Sequence, residues 1–308
     1  MNYRHLLTIP YILMVFLLIS CSEQGNIKVV SLKPAQNSIE YKSKRQPSPQ
    51  IYYFGFDLRL SAKDDVKIYL PFLKYLTDNT NIPFSLKLSE RYESNLENLG
   101  RGDIHFAALG PVSAVIAMDK YNARCLVMGL NHESRPEYRA VIFTTPESII
   151  NRVSDLRGKT FAFGDRFSTQ GHLIPRKMLE DEGITLKDFK RHTYTGSHAN
   201  TAKAVLNGNF DAGALQDNMA YRLQREGRIK IIAVSKPYPS SLICSHVAIP
   251  EDKINKVLKA LLSFDPSNRH KDILFDWHKT EMPMGFVEFT DSYLNEVRRL
   301  LKRYKIGY

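Results

Sequence analysis

The chain has 308 residues, 43% of them hydrophobic, a formal charge of +11 and three cysteines. That length can bury two domain cores, and a basic balance suits a nucleic acid, an anionic surface or an anionic small ligand. Lysines and arginines are interleaved with acids, without a run of five or six like charges, which argues against nucleic acid. The CxxC or Cys/His spacing of a metal centre is absent, so no metal and no cofactor is expected.

In chain order, Arg4 and His5 precede an almost wholly apolar stretch, Leu6 to Ile19, interrupted by Thr8 and Pro10. It is too short to span a bilayer as a mature helix and ends at small residues, so residues 1–20 read as a signal peptide. Leu18–Ile19–Ser20–Cys21 resembles the bacterial lipobox, which implies cleavage before Cys21 and a diacylglycerol on its sulfur. The alternative is an ordinary signal peptide, or an anchor helix, with a chance cysteine. Residues 21–49 then read as lipid anchor and flexible polar tether, with Ser, Lys, Gln and Pro prominent. The expected location is the cell envelope, membrane-anchored through Cys21.

The globular part begins at Ile51–Phe56, a β-type run. A helix over 65–79 places Val66, Tyr69, Leu70, Leu73 and Leu76 on one face. Strand 84–88, helix 92–99, strand 104–109, helix 112–121 and strands 125–130 and 140–144 follow. The pattern restarts at Asp155–Lys159 with strand 160–163, a turn 164–167 and helix 168–182. Helix 199–207, strand 212–215, helix 218–225, strand 229–234, strand 242–249 and helices 251–262 and 291–302 complete it. This repeated β–α–β order predicts layered α/β lobes with mostly parallel sheets. Lobe 1 is expected over 50–144 plus 242–308, with lobe 2 inserted over 145–241. Crossings near 144–147 and 235–241 would form a two-strand hinge. Cys125 and Cys244 fall in buried strands and are read as unpaired small hydrophobes.

Two polar turns enter helices. In Gly164–His172, Ser168 and Thr169 would add hydroxyl donors to helix-start amides, a combination that suits a tetrahedral anion. Gly171 would let a ligand approach. A Ser or Thr at such a place is more often a plain N-cap. In Tyr194–Thr201, His198 can donate to an oxyanion, and a surface histidine beside a cap is the competing reading. Tyr92 and Tyr138, each in a turn or loop beside a predicted element, offer a flat wall and one hydroxyl apiece.

Taken in order, DLRGKTFAFGDRFSTQGHLIPRKML and GSHANTAKAVLNGNFDAGAL resemble the phosphate/phosphite/phosphonate-binding receptors of ABC transporters. RGDIHFAALGP and PEYRAVIF extend the likeness over roughly 50–250. The resemblance implies a type II periplasmic-binding-protein fold, α/β in class, whose two lobes close over a small oxyanion. It implies Ser168, Thr169 and His198 as oxyanion ligands, and Tyr92 and Tyr138 as aromatic ligands from the other lobe. Family members that take aminoalkylphosphonates set acids against the ammonium group; this chain has Asp217 near one such place but Ser240 and Ser241 near the other. That departure favours a small or uncharged substituent.

The implied role is a monomeric solute-binding lipoprotein that delivers phosphonate, phosphite or phosphate to an inner-membrane ABC permease. One rival is an oxyanion-sensing co-receptor for a sensor kinase. A second is an enzyme on the same fold, disfavoured because Gly-x-Ser-x-Gly and an evident base–orienter set are lacking.

Overall fold

Residues 50–307 are described by a computed structural model; the predicted signal peptide, Cys21 and the tether lie outside them. The first lobe opens with β1 (Tyr52–Phe56), α1 (Ala62–Thr80), β2 (Phe84–Leu86), α2 (Tyr92–Arg101), β3 (Phe106–Leu109), α3 (Pro111–Tyr121) and β4 (Arg124–Gly129). Ser61 starts α1 by accepting from the Asp64 amide, with Asp64 and Asp65 in the positive first turn, and Asn81 ends it in the left-handed region. Gly110 followed by Pro111 opens α3, where a missing N–H costs nothing.

A short strand, β5 (Glu137–Tyr138), leads into the second lobe: β6 (Ala140–Thr144), β7 (Thr160–Phe163), α4 (Ile174–Asp181), β8 (Arg191–Tyr194), α5 (His198–Leu206), β9 (Ala212–Gln216), α6 (Asp217–Arg225) and β10 (Lys230–Val234). The chain returns through β11 (Tyr238–Pro239) to β12 (Leu242–Ser245), α7 (Glu251–Leu262), β13 (Phe286–Glu288) and α8 (Asn295–Tyr304).

The first sheet has the order β13-β4-β12-β3-β1-β2 and the second β10-β6-β9-β7-β8. Only β1–β2, β1–β3, β7–β8 and β7–β9 pair in parallel. The expectation of mostly parallel sheets is therefore corrected to mixed ones. The reason is the interlobe exchange: β12 returns antiparallel between β3 and β4, and β6 lies antiparallel to β9.

Strand 140–144, assigned from the sequence to lobe 1, belongs to the second sheet. The first crossing thus falls between Gly129 and Ala140, not near 144–147, while the second falls at 235–241 as expected. The two crossings pair with each other, Tyr138 opposite Tyr238 and Glu137 opposite Pro239.

Placing β12 beside β4 also sets Cys244 opposite Cys125, and the two form a disulfide. The unpaired reading is corrected. Local sequence identifies both segments as strands but carries no information about which strands are neighbours.

Each sheet is packed on both faces. Phe54, Tyr69, Phe72, Phe264 and Trp277 fill the α1–α7 side of the first sheet, while Leu99, Val112, Val115 and Leu301 fill the α2–α3–α8 side. In the second lobe Phe143, Val205 and Leu223 lie on one face and Phe161, Phe163 and Leu179 on the other.

Candidate functional site

Loops at the carboxyl ends of β1, β3, β7 and β8 face one another between the lobes, where an open α/β sheet presents helix starts to a ligand. After β7 the chain turns sharply, because the Gly164 amide donates to Gly171 O at 2.9 Å. A Cβ on Gly171 would lie 3.0 Å from Gly164 Cα, so this glycine serves backbone-to-backbone packing rather than ligand approach. Ser168 caps the turn, its Oγ accepting from the Gly171 amide at 2.9 Å. The helix predicted over 168–182 begins instead as a wide π-type turn, Thr169–Leu173, before α4.

Thr169 reaches into the first lobe, where its Oγ1 accepts from the Val112 amide of α3 at 2.9 Å and lies beside the Tyr138 phenol. A hydroxyl has one proton and two lone pairs, so accepting from an amide leaves the Ser168 proton to donate, while Thr169 also hydrogen-bonds the Tyr138 phenol.

The second helix start lies beside the first, since β7 and β8 are neighbours and the Thr195 amide donates to both Phe163 O and Gly164 O. Ser197 caps α5 by accepting from the Asn200 amide at 3.2 Å. His198, the first residue of α5, is buried, and neither ring nitrogen has a hydrogen-bond partner. Burial first, then the nearby Arg59 charge, pushes its pKa down to about 3, so the imidazole is neutral and can donate from one nitrogen. This excludes the surface-histidine reading.

Tyr92 opens α2 and is 1% exposed, and its hydroxyl is buried without a partner. Burial holds the Tyr92 and Tyr138 phenols protonated, well above the ordinary range. A buried hydroxyl or imidazole without a partner is costly, and Tyr92 and His198 both sit near the Arg59 charge.

Asp217, the acid near one of the family's amine-contacting places, is already supplied with donors. Its Oδ2 accepts from the Arg139 amide at 2.7 Å, and its Oδ1 accepts from the Asn218 amide at 2.9 Å and from Gln170 Nε2 at 3.4 Å. Those donors tie the β5–β6 connection to α6 and to the Thr169 turn.

Sequence reasoning missed a buried charged group beside these residues. Asp57 and Arg59 follow β1, and Glu281 comes from the irregular segment before β13. Arg59 Nε lies 2.6 Å from Glu281 Oε2, and Arg59 Nη2 donates to Ser241 Oγ at 3.1 Å. Ser241 Oγ in turn donates to Glu281 Oε2 at 3.3 Å. Asp57 accepts from Asn95 Nδ2 at 3.1 Å and from the Gly110 amide at 3.0 Å. Burial pushes Glu281 up to about 7 and raises Asp57, with Arg59 opposing both shifts. The signal for Arg59 was available: two charges interrupt the apolar run FGFDLRL at a strand end. Glu281 had none, because its segment has no periodicity.

Two clefts lie nearby, the second of them bordered by Glu281 itself. One of about 720 Å³ is lined by Leu58, Leu60, Arg91, Asp165, Arg166 and Ser197. The other, about 400 Å³, is bordered by His132, Tyr138, Asp217, Asn218, Tyr221 and Glu281.

Comparison with known proteins identifies the family. Residues 54–294 match the family described as the periplasmic substrate-binding protein of phosphonate ABC transporters. The phosphonates-binding periplasmic protein of Escherichia coli is 24% identical over 67% of this chain and 64% of its own length. The phosphate-import protein PhnD of Mycolicibacterium smegmatis is 25% identical over 64% of this chain and 66% of its own. The chain thus spans just under two thirds of these relatives. PhnD1 of Prochlorococcus marinus, solved in complex with methylphosphonate, superposes with a TM-score of 0.76 at 19% identity, covering 84% of this chain and 99% of that one. That likeness is one of fold, of the type II periplasmic-binding-protein architecture.

Proposed function

Because the chain belongs to the family of periplasmic substrate-binding proteins of phosphonate ABC transporters, we propose that it captures a small phosphorus oxyanion between its lobes and presents it to a membrane permease. The observation that carries this reading is the set of unspent donors in the cleft. Tyr92 Oη and both His198 nitrogens are buried without partners, and the Ser168 and Thr169 hydroxyls lie at the adjoining helix start. Hydrogen-bond donors gathered in this way suit binding of an anion.

In this reading Ser168, Thr169 and His198 hold the oxyanion from lobe 2, and Tyr92 and Tyr138 close over it from the lobe 1 side. The paired connectors β5 and β11 act as the hinge, and closure is a population shift favoured by contacts to both lobes. Asp217 acts as a clamp on the lobe connection. Cys21 carries the lipid that holds the monomer at the envelope membrane. A sensor-kinase co-receptor would use the same site, and transport assays in cells lacking the permease separate the two roles.

The direct test is calorimetric titration with methylphosphonate, phosphite, phosphate and 2-aminoethylphosphonate. Saturable binding of at least one, at one site per chain, is expected. Failure of every member of the panel to bind would remove the reading.

A further inference from the structure

Resting on that reading of the cleft, we propose that Arg59 is the cation that the oxyanion binds, and that Glu281 is a built-in counter-ion with which the oxyanion competes for it. Among the described residues Arg59 is the sole buried arginine or lysine, 7% exposed. A buried guanidinium normally spends its donors on carboxylates and carbonyls in aligned pairs. Arg59 does not. Its Nη2 donates to Ser241, but the 2.6 Å contact of Nε with Glu281 is an ion pair without an aligned hydrogen bond. Both Arg59 Nε and Glu281 Oε1 are buried and without hydrogen-bond partners. Nε is held by Glu281, but Nη2 gives only one of its two hydrogens to Ser241, so the terminal edge of the guanidinium is what a tetrahedral oxyanion would take in a fork.

Its position is also right. A Cβ placed on Gly110, at the start of α3, would lie 3.6 Å from Thr169 Oγ1, 3.8 Å from Asp57 Oδ2 and 3.9 Å from Arg59 Nη2. The lobe 2 hydroxyl and the lobe 1 guanidinium therefore both lie within van der Waals reach of one point at the start of α3. The Arg59 charge reaches Tyr92, Tyr138 and His198 alike, so the groups assigned to the oxyanion surround this one cation.

The carboxylates make the pair consequential. Arg59 faces Glu281 directly, and Asp57 lies within the same cradle, so an incoming anion meets negative charge as well as positive. Two fork hydrogen bonds to Arg59 must outweigh the loss of its contact with Glu281. Removing the Glu281 charge while keeping its shape should therefore tighten oxyanion binding, an outcome that a purely structural ion pair would not give.

The experiment titrates methylphosphonate and phosphite into the parent protein, Arg59→Lys, Glu281→Gln and the double variant Arg59→Gln with Glu281→Gln, with Thr169→Ala alongside. The double variant removes both members of the pair and leaves Asp57 with its Asn95 and Gly110 donors, and its melting temperature, measured alongside, should stay near that of the parent. It should lose about 100-fold or more in affinity, from two charge-assisted hydrogen bonds. Arg59→Lys should recover part of that loss, and Glu281→Gln alone should bind several-fold more tightly than the parent. If the double variant binds as tightly as the parent while Thr169→Ala does not, the cleft is right and the role of Arg59 is wrong. If Glu281→Gln binds more weakly than the parent, the competition is refuted. If all variants bind like the parent, the reading of the cleft falls with the proposal.

Discussion

Replacing Tyr92 by phenylalanine should move stability and affinity in opposite directions. The ring is buried in the first turn of α2, and only its hydroxyl lacks a partner. A buried polar group left unsatisfied costs roughly 1–3 kcal/mol, and Tyr92→Phe keeps the ring while deleting that cost. Without ligand the variant should be unchanged or more stable by about 1 kcal/mol, which is ~2–4 °C in melting temperature for a chain of this size. The same hydroxyl is proposed to donate to an ionised oxygen. Hydrogen bonds to charged groups contribute about 1.5–3 kcal/mol, so methylphosphonate affinity should fall roughly 10- to 150-fold. Urea unfolding without ligand and calorimetry with it provide the two numbers. A variant that is clearly less stable without ligand would mean that the hydroxyl already has a partner. One that binds as tightly as the parent would mean that the ligand does not reach it.

Thr169→Ala and His198→Ala should each weaken methylphosphonate binding by about the same 10- to 150-fold, less than additively when combined because they meet one anion. The exposed Ser154→Ala is the control and should leave affinity alone. Amine preference should be absent: Asp217 already accepts from Arg139, Asn218 and Gln170, and Glu281 faces Arg59. A tenfold or greater preference for 2-aminoethylphosphonate over methylphosphonate would overturn this. His198 is held neutral with its pKa pushed from 6.5 to about 3, so below 6.5 the unfolded chain takes up a proton that the folded one refuses. Its contribution therefore makes stability fall as the pH drops from 6.5 towards 3, and His198→Gln should flatten that part of the profile; an unchanged profile would show that the ring protonates in place. Cys21→Ala should abolish lipidation and the lipoprotein-specific cut, and unaltered membrane attachment of that variant would remove the anchor assignment.

How much could be read in advance depended on how local the information is. Thr160–Phe163 and Glu251–Leu262 are found at the residues expected, because an apolar run bounded by Gly164 and an amphipathic run opened by Pro250 depend on neighbours in sequence. The two helix starts were legible for the same reason: Ser168 and Ser197 cap the turns they begin. Strand order was not. Nothing within Ala140–Thr144 says that it pairs with β9 and β10, so it was assigned to the wrong lobe, and Cys125 and Cys244 were left apart. Arg59 was missed because burial of a cation depends on Glu281 arriving from a segment 222 positions later. Charge pairing across such a distance leaves no periodic trace.

The disulfide has a topological consequence for the inserted lobe. Cys125 lies before the chain leaves the first sheet and Cys244 just after it comes back, with a sequence separation of 119. The whole second lobe, with both connectors, is thus a covalent ring whose clasp sits in the first lobe. Closing so long a loop removes several kcal/mol of chain entropy from the unfolded state, on the order of 4–5 kcal/mol by the loop-length estimate. It also means that a protease nick anywhere in the second lobe opens the ring without releasing a fragment: both halves of the lobe remain fastened to neighbouring strands, β4 and β12, of one sheet.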